Sequence, residues 1–209
     1  IIPHIVPELP EEQKAALRYP SKVPMQYTNV LLRDWKAWKA LGVRSISAPN
    51  GYHTSASLDT AMAIGGYASA MDPAEPVVVH MVRNPNQPGL SRKDQNRAGR
   101  ADMLATPFET IEREIRAQLQ RMLGAGGFEA RRDILAITVN RWPHGYAYTY
   151  DTLGDPDMPD AQRPHVIGRR PLGRIAIANA DAGAAAFTNV AIDEAERAVQ
   201  ECLVSRGLT

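Results

Sequence analysis

Apolar and polar positions alternate in two distinct rhythms along this chain, and the rhythms predict a mixed α/β fold. Residues 11–19 predict a short helix, with Glu11 and Glu12 at its positive end. Residues 22–32 predict a strand in which Val23, Met25 and Tyr27 alternate with Pro24, Gln26 and Thr28, and Pro24 favours an edge or a bulge. A short helix is expected over Asp34–Leu41, stopped by Gly42, and strands over 43–48 and 77–83, the latter holding the β-branched run Val77-Val78-Val79. The clearest helix spans Pro107–Leu123. Phe108, Ile111, Ile115, Leu119 and Met122 recur at spacings of three and four, Thr106 and Glu109 match a capping box, and Gly124 follows. A strand over Ile134–Val139 comes next, then an irregular stretch rich in Pro, Asp and Gly. The chain closes with a strand over Arg174–Ala178, a turn of small residues, and a helix from Asn189 to Ser205 whose Ile192, Ala195, Val199 and Leu203 share a face. Antiparallel sheet is expected in the middle.

Composition narrows the class. The 209 residues suit one large domain or one and a half small ones, with 44% hydrophobic and 22% charged residues. Twenty-four basic and 23 acidic residues leave a net charge of +1, without the clustered basic excess of a nucleic-acid binder. No apolar run is long enough for a transmembrane segment. Cys202 is the single cysteine and can form no internal disulfide. The five histidines are scattered without the spacing of a helical metal pair, and no Gly-x-Ser-x-Gly elbow is present, so neither a metal site nor a hydrolase triad is expected. The opening Ile1-Ile2-Pro3-His4-Ile5 has the character of a protein interior, so the lack of a signal peptide carries no statement on export.

Three segments carry candidate chemistry. Gly173-Arg174-Ile175 through Asp181, followed by small residues and Phe187-Thr188-Asn189-Val190, gives strand, turn and helix start. Small side chains there admit a flat or anionic ligand to the free N–H groups of the first helical turn, and a well-packed turn is the alternative. Asn140-Arg141-Trp142-Pro143-His144-Gly145-Tyr146-Ala147-Tyr148 clusters aromatics after a strand, as a ligand pocket or as an aromatic corner of the core. Ser21-Lys22-Val23 puts a lysine at a strand start, a position that is ordinarily solvated. Gly124-Ala125-Gly126-Gly127 follows a helix, not a strand, and so lacks the context of a nucleotide loop.

In this order the segments resemble the C-terminal half of flavin-containing amine oxidases. The branch they resemble most is the bacterial spermidine dehydrogenase-like flavoproteins, through Lys22-Val23-Pro24, Leu32-Arg33-Asp34-Trp35, Arg141-Trp142-Pro143-His144-Gly145-Tyr146 and Ala176-Ile177-Ala178-Asn179-Ala180-Asp181. The resemblance runs essentially end to end. Val190 and Ala195 stand where the family usually has glycines, and Phe187 where it commonly has Tyr. The resemblance implies FAD as cofactor and a small amine, a polyamine such as spermidine, as substrate, oxidised to an imine by hydride transfer to flavin. It implies that Lys22 holds a water at the flavin, that Tyr146 or Tyr148 and Phe187 line the approach, and that Trp142 lies beside the flavin ring. Asn179 and Asp181 would meet the ribitol and pyrophosphate, and Thr188, Asn189 and Val190 the pyrimidine edge. It further implies a substrate-binding mixed sheet over 1–150, an irregular connection over 151–172, and the closing strand and helix of an FAD-binding domain over 173–209. The family's Gly-x-Gly-x-x-Gly strand is not found, so the N-terminal FAD-binding half is expected in the rest of the same protein or on a partner chain. A non-catalytic or partner-dependent flavoprotein subunit, and a related flavin oxidoreductase acting on a non-amine substrate, are the alternatives.

Overall fold

In the computed structural model, which describes residues 1–59 and 63–208, two short helices, Ile2–Ile5 (α1) and Glu11–Arg18 (α2), precede a ten-residue strand, Val23–Leu32 (β1). Helix α3, Lys36–Leu41, ends at Gly42 in the left-handed conformation that glycine adopts without strain. Strands β2 (Ser45–Ser47) and β3 (Ser55–Leu58), a small hairpin of β4 (Ala63–Ile64) and β5 (Tyr67–Ala68), and strand β6 (Val77–Arg83) follow. Helices α4 (Arg92–Ala105), α5 (Phe108–Leu123) and α6 (Ala130–Asp133) lead into the long strand β7 (Ile134–Gly145). The chain ends with the short helix α7 (Pro164–Gly168) and the long α8 (Thr188–Val204). Residues 60–62 and 209, which belong to the first and last of the expected segments, lie outside the described residues.

The chain divides into two compact units, one formed by 23–144 and the other by 1–22 with 145–209. The first unit is built on a five-stranded antiparallel sheet in the order β2-β3-β6-β1-β7. Strand β1 pairs with β6 from Gln26↔Arg83 to Leu32↔Val77. It is therefore central, not the edge strand that Pro24 favoured as one of two outcomes, and Pro24 lies before its ladder with β6 begins. Helices cover one sheet face. Val30, Leu32, Val79, Met81 and Trp38 join Ile111, Ile115, Leu119 and Leu123 of α5 in the core. The expected apolar stripe of α5 holds, except that Phe108 is exposed and Leu123 takes a place inside. Burying those four α5 side chains contributes on the order of 2 kcal/mol each.

The expected capping box does not form. Thr106 turns back to donate from Oγ1 to the Asp102 carbonyl at 2.7 Å, closing α4, and Pro107 occupies the N-cap of α5 without a side-chain bond. Helix α4 itself has no apolar rhythm to announce it. Its start is set by Ser91, whose Oγ accepts from the Asp94 amide at 3.3 Å, and its interior is fitted by Gly99. A Cβ on Gly99 would lie 1.9 Å from the Pro85 carbonyl oxygen. Gly99→Ala is therefore expected to destabilise the protein by about 1–3 kcal/mol despite alanine's better helix propensity. Urea denaturation checks this, and a stabilised variant would contradict the packing.

The second unit holds α1, α2, α7 and α8. Gln13 of α2, buried, donates to the carbonyls of Gly168 (3.1 Å) and Arg170 (2.6 Å) and so fastens α2 to α7. Asp155, also buried, accepts from the Tyr19 and Tyr148 hydroxyls at 2.7 and 2.8 Å and from the Asp151 amide, organising the irregular stretch. The expected strand over Arg174–Ala178 is not a strand. Only the bridge Leu172↔Ile175 forms there, since a ladder needs a neighbouring strand and none of the described residues supplies one.

Candidate functional site

The face of the sheet opposite α5 is the first place where functional side chains gather. Pleating sends Gln26, Thr28, Val30 and Leu32 of β1 toward the helices and Tyr27, Asn29 and Leu31 to the other side. On β6 the same outward set is Val78, His80 and Val82, all half-buried while Val77, Val79 and Met81 are buried. Ile137 and Val139 of β7 pack against the core, so Asn140 and Trp142 stand on the opposite face, with Trp142 55% exposed. Trp142 was expected just after a strand. It lies within one, because β7 continues through Pro143 to Gly145. Arg141, between them, turns inward and donates to the carbonyls of Leu104 and Thr106 at 3.3 and 2.8 Å.

In the other unit the structure brings Lys22 and Asp181 together, although they are 159 residues apart in sequence. Lys22 Nζ lies 2.6 Å from Asp181 Oδ2, and the second carboxylate oxygen accepts from the Tyr148 amide at 3.2 Å. Asp181 thus fixes both the lysine and the aromatic segment. Three non-glycine residues among those described have positive φ: Tyr146 (55°), Asn179 (84°) and Ala184 (51°). All three fall in the two segments singled out in the sequence. Backbone held in this region costs on the order of 1 kcal/mol per residue and clusters where a site dictates the chain path. Asn179 eases its own strain by accepting from the Ala180 amide at 2.6 Å.

Phe187 is the N-cap of α8 and is 67% exposed, and Tyr146 is exposed as well. Thr188, Asn189 and Val190 form the first turn of α8, where amides have no acceptor within the helix and no side chain caps them. The helix is seated on an unexpected side. Its buried residues are Glu194 and Ala198, while Ile192 (62% exposed) and Val199 (56%), of the shared apolar face, point outward.

Sequence reasoning missed His53. It is fully buried in the first unit, against Gln26, Thr28 and Gln118. Its own backbone amide donates to Gln118 Oε1 (2.9 Å), and its carbonyl accepts from Gln118 Nε2 (2.7 Å). Burial pushes the imidazole down to about 4, with the nearby Arg83 guanidinium adding to the effect against Gln118. Only an alternation of the wrong polarity, Gln26 and Thr28 where the core face of β1 begins, hinted at such a polar cluster.

Among the described residues no helix is long and apolar enough to cross a membrane. Among the described residues, no three of His, Cys, Asp or Glu gather as they would around a metal ion. The chain matches no protein-family model and no curated protein.

Proposed function

We propose that this chain is the substrate-side part of an FAD-dependent amine oxidoreductase that oxidises an amine of the polyamine class to an imine. The observation that carries this reading is the coincidence of the three positive-φ residues with the two segments that resemble the amine oxidase site. A chain held in strained conformations at Tyr146 and at Asn179–Ala184 is shaped for something that touches those segments.

The residues fit a flavin in kind. Uncapped amides at Thr188, Asn189 and Val190 suit the carbonyl edge of a flat heteroaromatic ring. Bound FAD would supply the two-electron acceptor for the substrate's C–N bond. The chain's own groups do the rest. Exposed aromatic faces at Tyr146 and Phe187 attract an incoming ammonium and, once water is excluded, favour its neutral form. Asp181 positions Lys22, whose ammonium offers donors to a water, and the same carboxylate holds the Tyr148 backbone. The outward apolar stripe of α8 and segment 174–178, which joins no sheet among the described residues, support a second body, carrying the remainder of the FAD-binding fold, in the rest of the same protein or on a partner chain.

The test is a visible spectrum of the complete protein, followed by anaerobic addition of spermidine. Flavin bands that bleach are expected, and Lys22→Met is expected to slow reoxidation or product release at least about tenfold with bleaching retained. A complete protein that carries no flavin, or flavin that no amine bleaches, overturns the reading.

A further inference from the structure

Resting on that reading, we infer that His80, held by Asn29 and flanked by Tyr27, forms a binding subsite for an amine nitrogen on the sheet face opposite α5. Strand register places Ser57, His80 and Asn29 side by side across β3, β6 and β1. His80 Nδ1 lies 2.8 Å from Asn29 Oδ1. A carboxamide oxygen only accepts, so Nδ1 carries the proton and Nε2 presents a lone pair. Among the described residues, Nε2 has no hydrogen-bond partner. The Tyr27 ring stands 5.2 Å from the imidazole at a 39° tilt, which fixes the second side of the ring.

On β6 and β1 the pairs on either side of His80 and Asn29 are apolar or aromatic, and Ser55 of β3 stands beside Val82. Val82 pairs with Tyr27, and Val78 with Leu31. Alternate residues of a strand are about 7 Å apart, so on β6 and β1 the His80–Asn29 pair is separated from the Val82–Tyr27 and Val78–Leu31 pairs by the length of a short methylene spacer. The ligand chemistry that fits is an N–H donor embedded in an alkyl chain, with methylenes over Leu31, Val78 and Val82 and a nitrogen at His80 Nε2. The Tyr27 ring adds attraction for the nitrogen when it is charged. His80 and Tyr27 would touch the substrate, while Asn29 is a positioning residue that acts by fixing the imidazole tautomer.

The experiment is a spermidine titration of the 209-residue chain, read by long-range ¹H–¹⁵N spectra of the histidines and by calorimetry. The free chain is expected to show His80 protonated at Nδ1 only, and spermidine to shift its Nε2 signal. His80→Phe is expected to weaken binding at least about tenfold while circular dichroism stays unchanged. Asn29→Leu is expected to mix the two tautomers and weaken binding less. An unmoved His80 signal, or affinity in a folded His80→Phe chain within about twofold of the parent, overturns the subsite. The two readings fail separately. Flavin bleaching in the complete protein with an unchanged KM in His80→Phe removes the subsite and leaves the oxidoreductase. Spermidine engaging His80 in a complete protein whose flavin never bleaches does the reverse.

Discussion

Glu194→Ala is expected to cost the 1–22/145–209 unit about 3–5 kcal/mol, the range for breaking a buried ion cluster by removing one partner. Glu194 is 8% exposed and accepts from Arg169 Nη1 at 2.5 Å and from Arg197 Nε at 2.8 Å. Arg197 also donates to Glu201 and to the Ile177 carbonyl, and Arg169 to the Ala182 carbonyl. The carboxylate is therefore the point where α8, the 177–182 segment and the residue after α7 are tied together. Alanine leaves two guanidinium groups, both largely buried, facing each other without their shared anion. Glu194→Gln keeps one acceptor and is expected to fall between the two. The contrast lies on the other side of the same helix. Ile192→Gln and Val199→Gln, at exposed positions, are expected to change the stability of this chain by no more than about 0.5 kcal/mol. Urea denaturation monitored by tryptophan-independent circular dichroism reads all four. A loss below about 1 kcal/mol for Glu194→Ala, or a large loss at Ile192, would mean that α8 is seated by its apolar stripe after all.

That inversion marks the limit of what periodicity can say. The spacing of Ile192, Ala195, Val199 and Leu203 correctly announces a helix, since the stripe is a property of the helix alone. Which side faces inward depends on partners, and the partners here are Arg169 and the carbonyls of 177 and 182, distant in sequence and without periodic signature. The same distinction runs through the fold. β6, α3 and α5 are legible because a β-branched run, a left-handed Gly42 and an apolar stripe are local. Helix α4 was not, because a serine cap and a glycine seated on the Pro85 carbonyl replace hydrophobic spacing. The extended segment 174–178 has the composition of a strand, but a strand exists only with a neighbour to bond. Of the candidate site, the residue types were legible and their grouping was not. Nothing local says that Lys22 meets Asp181, or that Asn29 faces His80 across a sheet whose order is β3-β6-β1.

The buried polar cluster sets the second large expectation, a loss of about 3 kcal/mol of stability as pH falls from about 6.5 to about 4. His53 titrates near 6.5 in the unfolded chain and is pushed down to about 4 in the fold, so the unfolded state binds the extra proton first. Stability from this group is complete above the unfolded value and declines as pH drops toward the folded one. The surroundings explain why protonation is so unfavourable. Gln26 Nε2 and Thr28 Oγ1 lie 3.2 and 3.0 Å from His53 Nε2, which is therefore the accepting nitrogen, and Nδ1 finds no partner among the described residues. The Arg83 guanidinium, tied to Asp102 at 2.7 Å and stacked on Tyr52, acts on the ring and repels a second positive charge. A proton arriving at Nε2 would turn the acceptor into a donor pointed at the Gln26 amide, with no carboxylate at hand to compensate. Urea midpoints across this pH range, compared with those of His53→Gln, measure the effect. The variant is expected to be less stable at neutral pH but to have a flatter profile. A histidine carbon signal from His53 that moves between pH 6 and 7, or an equal slope in the variant, would show that the acid sensitivity arises elsewhere.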